Sequence, residues 1–302
     1  MSGLMSRVAA APISWGVSEV PGWGHQMKPG RVLAEMQSLG IRGSELGPDG
    51  YFAADTDTAD QIKKSGFSIM AGFVPAPLPV DPSDDPSGES DAAGESDELD
   101  EFEIACIRLQ GTGAGIVIIA VVSSVEGYEV SPRLEGVALE RLPGYLANLG
   151  SIAKRHQLLP VVHPHYGTYV ETVRDTRLVL EQSDLGICLD TGHLVLAGSD
   201  PVELAILAAE RVQHVHLKDV DAQLAMRVRD GDIAYHEAVR QGLYPPLGQG
   251  DAGVGDVITA LEGAGYDGWY VIEQDAVLEC EPATDRGPVE GQRESLRFLE
   301  TI

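Results

Sequence analysis

The 302 residues are long for one ordinary domain and suit one α/β barrel or two mid-sized domains. With 43% apolar residues the chain can bury a large core, which excludes wholesale disorder. A formal net charge of −26, from 21 basic against 47 acidic side chains, argues against a nucleic-acid backbone or an anionic membrane as partner.

In chain order, Met1 to Ala11 carries one arginine and no long apolar run, so it does not read as a signal peptide. VAAAPISWG opens the first strand. VLAEMQSLGIRGSEL then gives a helix and a strand around Leu39 to Leu46, and ADQIKKSGFSIMAGF a helix and a third strand ending at Phe73. Asp81 to Glu103 comes next, with 11 acidic residues in 23 and no basic one. That composition predicts a mobile acidic loop, because it cannot bury enough apolar surface to offset its ordering entropy. A solvated insertion is the plainer reading and a lid the alternative. The fourth strand is Ile116 to Val122, the fifth ends at His165, the sixth is Gly186 to Asp190, the seventh Val212 to Lys218 and the eighth Trp269 to Glu273.

These runs are short and apolar throughout rather than alternating, which suits a parallel sheet covered on both faces. Eight strand–helix units in one chain predict a single-domain (β/α)8 TIM barrel over residues 1–302, with 81–103 as a flexible insertion. A doubly wound open sheet would show a Gly-rich fingerprint after the first strand, and Ser14-Trp15-Gly16-Val17-Ser18 is not one. Cys106, Cys188 and Cys280 are too widely spaced for a disulfide framework or a CxxC zinc site, so a reduced, cytoplasmic compartment is expected. No run reaches the roughly 18 apolar residues of a membrane helix.

In a barrel the chemistry lies where strands end at their C-termini. Glu45 stands after the second strand, His163 and His165 after the fifth, and Asp190 and His193 after the sixth. His214, His216, Lys218 and Asp219 belong to the seventh, and Glu273, Gln274 and Asp275 to the eighth. Five of the eight histidines thus fall at three adjacent strand ends. Imidazoles and carboxylates converging from several strands predict a divalent metal site, with Mn²⁺, Co²⁺, Fe²⁺ or Zn²⁺ suiting mixed N/O ligation better than Mg²⁺. His214 reads equally as a structural residue, Glu45 as a cap or ion-pair partner, and Asp219 and Asp275 as orienting groups. Trp15 and Trp23, near the first strand end, are candidates to stack on a ring substrate, against the alternative of packing at the rim.

APISWG, GSELG, HPHYGT, LDTGHLVLAG, HVHLKD and GYDGWYVIEQD, in this order, resemble the xylose-isomerase-like superfamily of sugar isomerases, epimerases and dehydratases. Within it, HPHYGT, VRDGDIAYHEAVRQG and LGQGDAGVGD are most similar to the inosose dehydratase family. The resemblance runs from about Ala10 to the C-terminus, apart from the acidic segment. It implies a metal held by Asp190, His216 and Glu273, with His163 standing where many relatives have Glu. Mn²⁺ or Co²⁺ is the first expectation, with Zn²⁺, Fe²⁺ or Mg²⁺ after them. It implies loss of water from 2-keto-myo-inositol or a similar polyhydroxy ketone through an enediolate. His165 would be the base, His193 a holder of a substrate hydroxyl or the acid, and Lys218 a stabiliser of negative charge with a depressed pKa if desolvated. Trp15, Glu45 and His193 are the expected substrate contacts. A keto-sugar isomerase or epimerase is the rival inside the enzyme class, and a non-catalytic sugar-binding barrel the rival outside it. The expected partner is a small polyol or keto-sugar. Such barrels often pair into homo-oligomers, though no interface is marked in the sequence.

Overall fold

The computed structural model describes residues 3–54, 56–80, 91–123, 128–129 and 131–302. The first half runs β1 (Val8–Ala10), a 3-10 turn at Pro12–Trp15, α1 (Pro29–Ser38), β2 (Gly43–Glu45), α2 (Tyr51–Ala54), α3 (Thr56–Ser65), β3 (Ser68–Pro77), α4 (Asp91–Thr112) and β4 (Ile116–Val122). The middle comprises α5 (Gly136–Arg155), β5 (Leu159–Val162), α6 (Val173–Gln182), β6 (Gly186–Asp190), α7 (Thr191–Leu196) and α8 (Pro201–Leu207). The chain closes with β7 (Val212–Leu217), α9 (Ala222–Arg229), α10 (Tyr235–Arg240), α11 (Val254–Gly263), β8 (Tyr270–Ile272) and α12 (Pro288–Leu299).

All eight strands are parallel and form one closed ring. It closes where Val8, Ala9 and Ala10 of β1 pair with Tyr270, Val271 and Ile272 of β8, so the open doubly wound sheet is excluded. The uniformly apolar strands result from burial on both faces. Ala9, Ala71, Ile118, Val161, Cys188 and Val271 form one cluster that fills the ring. Val117, Ile119 and Val121 of β4 alternate with it and pack outward into the larger core. α5 meets that core with Leu142, Tyr145, Leu146, Leu149 and Ile152, one helical stripe. Burying each such aliphatic side chain contributes about 1.5–3 kcal/mol. Among the described residues, no helix is long and apolar enough to cross a membrane.

The acidic segment departs from its expectation. Residues 81–90 lie outside the described residues, but 91–103 are the first turns of α4 rather than a loop. Phe102, Cys106 and Leu109 repeat at i, i+4 and i+7 and are buried, which ties the helix to the barrel. Leu109 packs directly onto Gly72 of β3, where a side chain would collide with it. Glu98 and Glu101 reach the wall of the main cavity.

Several strands end before the chemistry begins. β5 stops at Val162, so His163 and His165 lie on the loop beyond it, and Lys218 and Glu273 stand just past β7 and β8. After β7 the chain makes a long excursion through α9 and α10. Asp219 clasps its base: Oδ1 accepts from Val220 N and Ala252 N, and Oδ2 from Gly248 N and Gly250 N, at 2.8–3.0 Å. Gly250 is required there, because a Cβ would sit 2.6 Å from Asp219 Oδ1.

Candidate active site

Side chains on a strand alternate, so His214, His216 and Lys218 of the β7 segment share one face, toward the barrel axis. Glu45 reaches them from β2. Both imidazoles donate from Nε2 to its Oε1, at 2.7 Å from His214 and 2.8 Å from His216. A carboxylate acceptor fixes a proton on Nε2, which leaves Nδ1 as the His216 atom that can face a cation. Burial opposes charge on Glu45, but His216 and His214 outweigh it and hold the carboxyl below its usual range.

Asp190 ends β6 and caps α7. Its Oδ1 accepts from the backbone N–H of Gly192 at 2.7 Å and of His193 at 2.8 Å, which locks the rotamer. Oδ2 is thereby aimed inward, 3.4 Å from His163 Nε2 and 3.5 Å from His216 Nδ1. His216 Nδ1 is also 3.4 Å from Glu273 Oε2. That nitrogen is buried and has no hydrogen-bond partner. These spacings are long for hydrogen bonds, yet they match the roughly 3.0–3.4 Å edges of a coordination shell built on metal–ligand distances of about 2.1 Å. Two imidazoles and two carboxylates are a borderline N/O donor set, and a divalent cation fits it. Cys188 lies below, its sulfur within 4.8 Å of donor atoms of His163 and His216.

Lys218 is 1% exposed, and its ammonium is ringed by acceptors. Asp275 Oδ1 lies at 2.9 Å, Glu273 Oε2 at 3.0 Å and His193 Nε2 at 3.0 Å. The expected depression of its pKa is therefore corrected. Burial lowers it, but Asp190, Asp275 and Glu273 more than offset burial and keep the group charged well above an ordinary lysine. Thr191 Oγ1 pins the same residue, donating to Lys218 O at 2.8 Å and accepting from Lys218 N at 2.9 Å. Asp275 also accepts from Tyr235 Oη at 3.1 Å, and the Lys218 ammonium lies 5.1 Å from the Tyr244 ring centre.

The glycine of the DTGH motif has a steric reason. A Cβ on Gly192 would lie 2.6–2.8 Å from Cβ, Cγ and Cδ of Lys218, and neither side can retreat. Gly192→Ala is expected to destabilise the fold by about 1–3 kcal/mol, as overpacking does. It should also displace the ammonium. A thermal melt and a turnover assay check it; an unchanged melting temperature with full turnover contradicts the reading.

A cavity of about 570 Å³ opens over this cluster. His163, His165, His193, His216, Lys218 and Glu273 reach it from the barrel. His165 Nδ1 donates to Tyr166 O at 2.6 Å, so Nε2 carries the lone pair. Burial, aided by the Lys218 charge, holds His165 well below the usual histidine range. Its ring stacks on His193 with centroids 3.6 Å apart. His193 is pushed down by burial in the same way, and its Nε2 is occupied by Lys218.

One expected substrate contact goes elsewhere. Trp15 is fully buried, turned back by the 3-10 turn so that Nε1 donates to Glu35 Oε2 at 2.8 Å. Trp23 reaches the cavity in its stead, with Nε1 on Ala276 O at 2.9 Å. Glu45 touches the cavity but spends Oε1 on the two histidines beneath it. Glu19, Tyr128 and Tyr235 were absent from the expectation and line the wall. Glu19 carried a signal that could have found it, since it lies on the loop beyond β1 as His163 and His165 lie beyond β5.

A family description of xylose isomerase-like TIM barrels matches residues 33–302. An inosose dehydratase of Geobacillus thermodenitrificans is 26% identical over 282 residues, covering 88% of this chain and 89% of the relative. Among solved structures, a probable 3-DHS dehydratase, AsbF, from Bacillus anthracis superposes with a TM-score of 0.67 at 14% identity, covering 97% and 98% of the two chains. An IOLI protein with a bound zinc atom superposes with a TM-score of 0.67 at 13% identity, covering 97% of each chain. These structural likenesses establish the fold.

Proposed function

The chain belongs to the xylose isomerase-like TIM barrel family, and from that premise we propose that it is a hydro-lyase removing water from a polyhydroxy cyclohexanone such as 2-keto-myo-inositol. The observation that carries this reading is the His165 imidazole, which is bonded through Nδ1 to the Tyr166 carbonyl and stands at the cavity beside an N/O donor set with Nε2 free. Similarity to an inosose dehydratase over most of both chains supports the substrate class.

A divalent cation held by His163, Asp190, His216 and Glu273, Mn²⁺ or Co²⁺ before Zn²⁺, Fe²⁺ or Mg²⁺, would supply the positive charge that makes a proton alpha to a ketone removable. His165 Nε2 takes that proton, because Nδ1 is committed to the Tyr166 carbonyl. Its tilt is fixed by stacking on His193. Lys218 acts by holding Glu273 and Asp275 and by its charge. His193 positions Lys218 and His165. With Nε2 accepting from an ammonium, it is a poor proton donor.

The test is turnover of 2-keto-myo-inositol by protein stripped with chelator and then restored with Mn²⁺ or Co²⁺. The conjugated dione product is tracked by its ultraviolet absorbance. Metal-dependent appearance of that band is expected. Metal binding without turnover would overturn the dehydratase reading and move the search to keto-sugar epimerisation.

A further inference from the structure

Water loss needs an acid as well as a base. His193 Nε2 and the Lys218 ammonium are committed to each other and to carboxylates. Across the cavity stands Glu19, on the loop after β1. Its Oε1 accepts from Tyr128 Oη at 2.6 Å, and the Tyr128 ring lies 4.3 Å from the His165 ring, so one phenol separates the carboxyl from the base. Of the other acidic groups, Glu35 is paired with Arg31, and Glu273 and Asp275 with Lys218, while Glu98 and Glu101 reach the cavity wall from α4. Among the described residues, Glu19 has no cationic partner. Its loop is held rigidly, by Trp23 Nε1 on Ala276 O and by Gln26 Nε2 on Ser18 O, each at 2.9 Å.

Resting on the dehydratase reading, the geometry points to Glu19 as the proton donor to the departing hydroxyl, with Tyr128 as the residue that orients it. The α C–H bond breaks and its proton goes to His165 Nε2. The electron pair first moves onto the ketone oxygen as an enediolate, and in a second step it returns to form the carbon–carbon double bond as the β C–O bond breaks. The leaving oxygen takes the Glu19 proton and departs as water. Imidazolium and carboxylate then return to their starting states by proton exchange through solvent, so nothing is oxidised or reduced. Burial supports this role: it pushes the Glu19 carboxyl up against the pull of the Tyr128 hydroxyl, and the Asp275 and Glu273 charges add to the push. A carboxyl so raised is easier to keep protonated than an exposed one.

The experiment compares wild type, Glu19→Gln, Glu19→Asp and Tyr128→Phe, each loaded with Mn²⁺, on 2-keto-myo-inositol in D₂O. Two readouts are taken: the dione band for water loss, and deuterium entry at the α-carbon for proton abstraction. Glu19→Gln should lose at least about 100-fold in water loss, the ordinary worth of a general acid. It should keep deuterium entry within about threefold of wild type. Glu19→Asp should recover part of the water loss, and Tyr128→Phe should fall between wild type and Glu19→Gln. If Glu19→Gln eliminates water at the wild-type rate, or loses both activities in step, the role is overturned while the dehydratase reading stands. No water loss by wild type overturns that reading and the role with it.

Discussion

Asp190→Asn is expected to strip the metal and stop water loss while leaving the barrel folded. The substitution is discriminating because the two carboxylate oxygens have separate tasks. Oδ1 accepts from Gly192 N and His193 N, and an asparagine carbonyl can keep both bonds. Oδ2 faces His163 Nε2 and His216 Nδ1, and an amide nitrogen there brings hydrogens where a lone pair and a charge are needed. Losing a group that merely supports a ligand typically costs about 10–100-fold in metal affinity, so losing the ligand itself should cost at least about 100-fold. Lewis-acid stabilisation of several kcal/mol corresponds to a turnover loss of at least about 10³-fold. Metal content after dialysis, with a circular dichroism melt as the control for folding, checks it. Full metal content and full turnover in the variant would sink the assignment.

His165→Asn should produce the complementary phenotype, a fall of about 10²–10⁴-fold in kcat with metal content unchanged. The amide Nδ2 can still donate to the Tyr166 carbonyl, so the loop keeps its anchor while Nε2 disappears. Deuterium entry at the α-carbon should vanish together with water loss, unlike the split expected for Glu19→Gln. Retained exchange in His165→Asn would move the base elsewhere in the cavity.

The barrel was legible because parallel strands buried on both faces leave uninterrupted apolar runs, as in Ile116–Val122. The histidine and carboxylate cluster was legible because β6 and β7 each carry their groups in one short motif. What escaped was whatever depends on distance in sequence. Glu45 meets His214 and His216 across 169 and 171 residues, and no local pattern announces that its Oε1 serves them. Glu19 and Tyr128 meet across 109 residues, from two loops without a motif. Trp15 misled because strand-end position says nothing about a 3-10 turn that sends the indole back to Glu35. In 91–103 the acidic composition hid a helix whose apolar spacing continues through Phe102, Cys106 and Leu109, beyond the acidic run.

The clasp at Asp219 makes the segment between Val220 and Gly250 a cassette. Both ends of that excursion are gripped by one carboxylate through backbone amides, and between them Tyr235, Val239 and Leu243 pack onto Val122, Tyr166 and Leu196. Doubling the length of such a loop costs only about 0.6 kcal/mol in closure entropy. The cassette delivers Tyr235 to the cavity and Tyr244 to the Lys218 ammonium. A different rim over the same cluster is therefore reachable by changing the residues this segment shows to the cavity while its buried face against Val122, Tyr166 and Leu196 is kept.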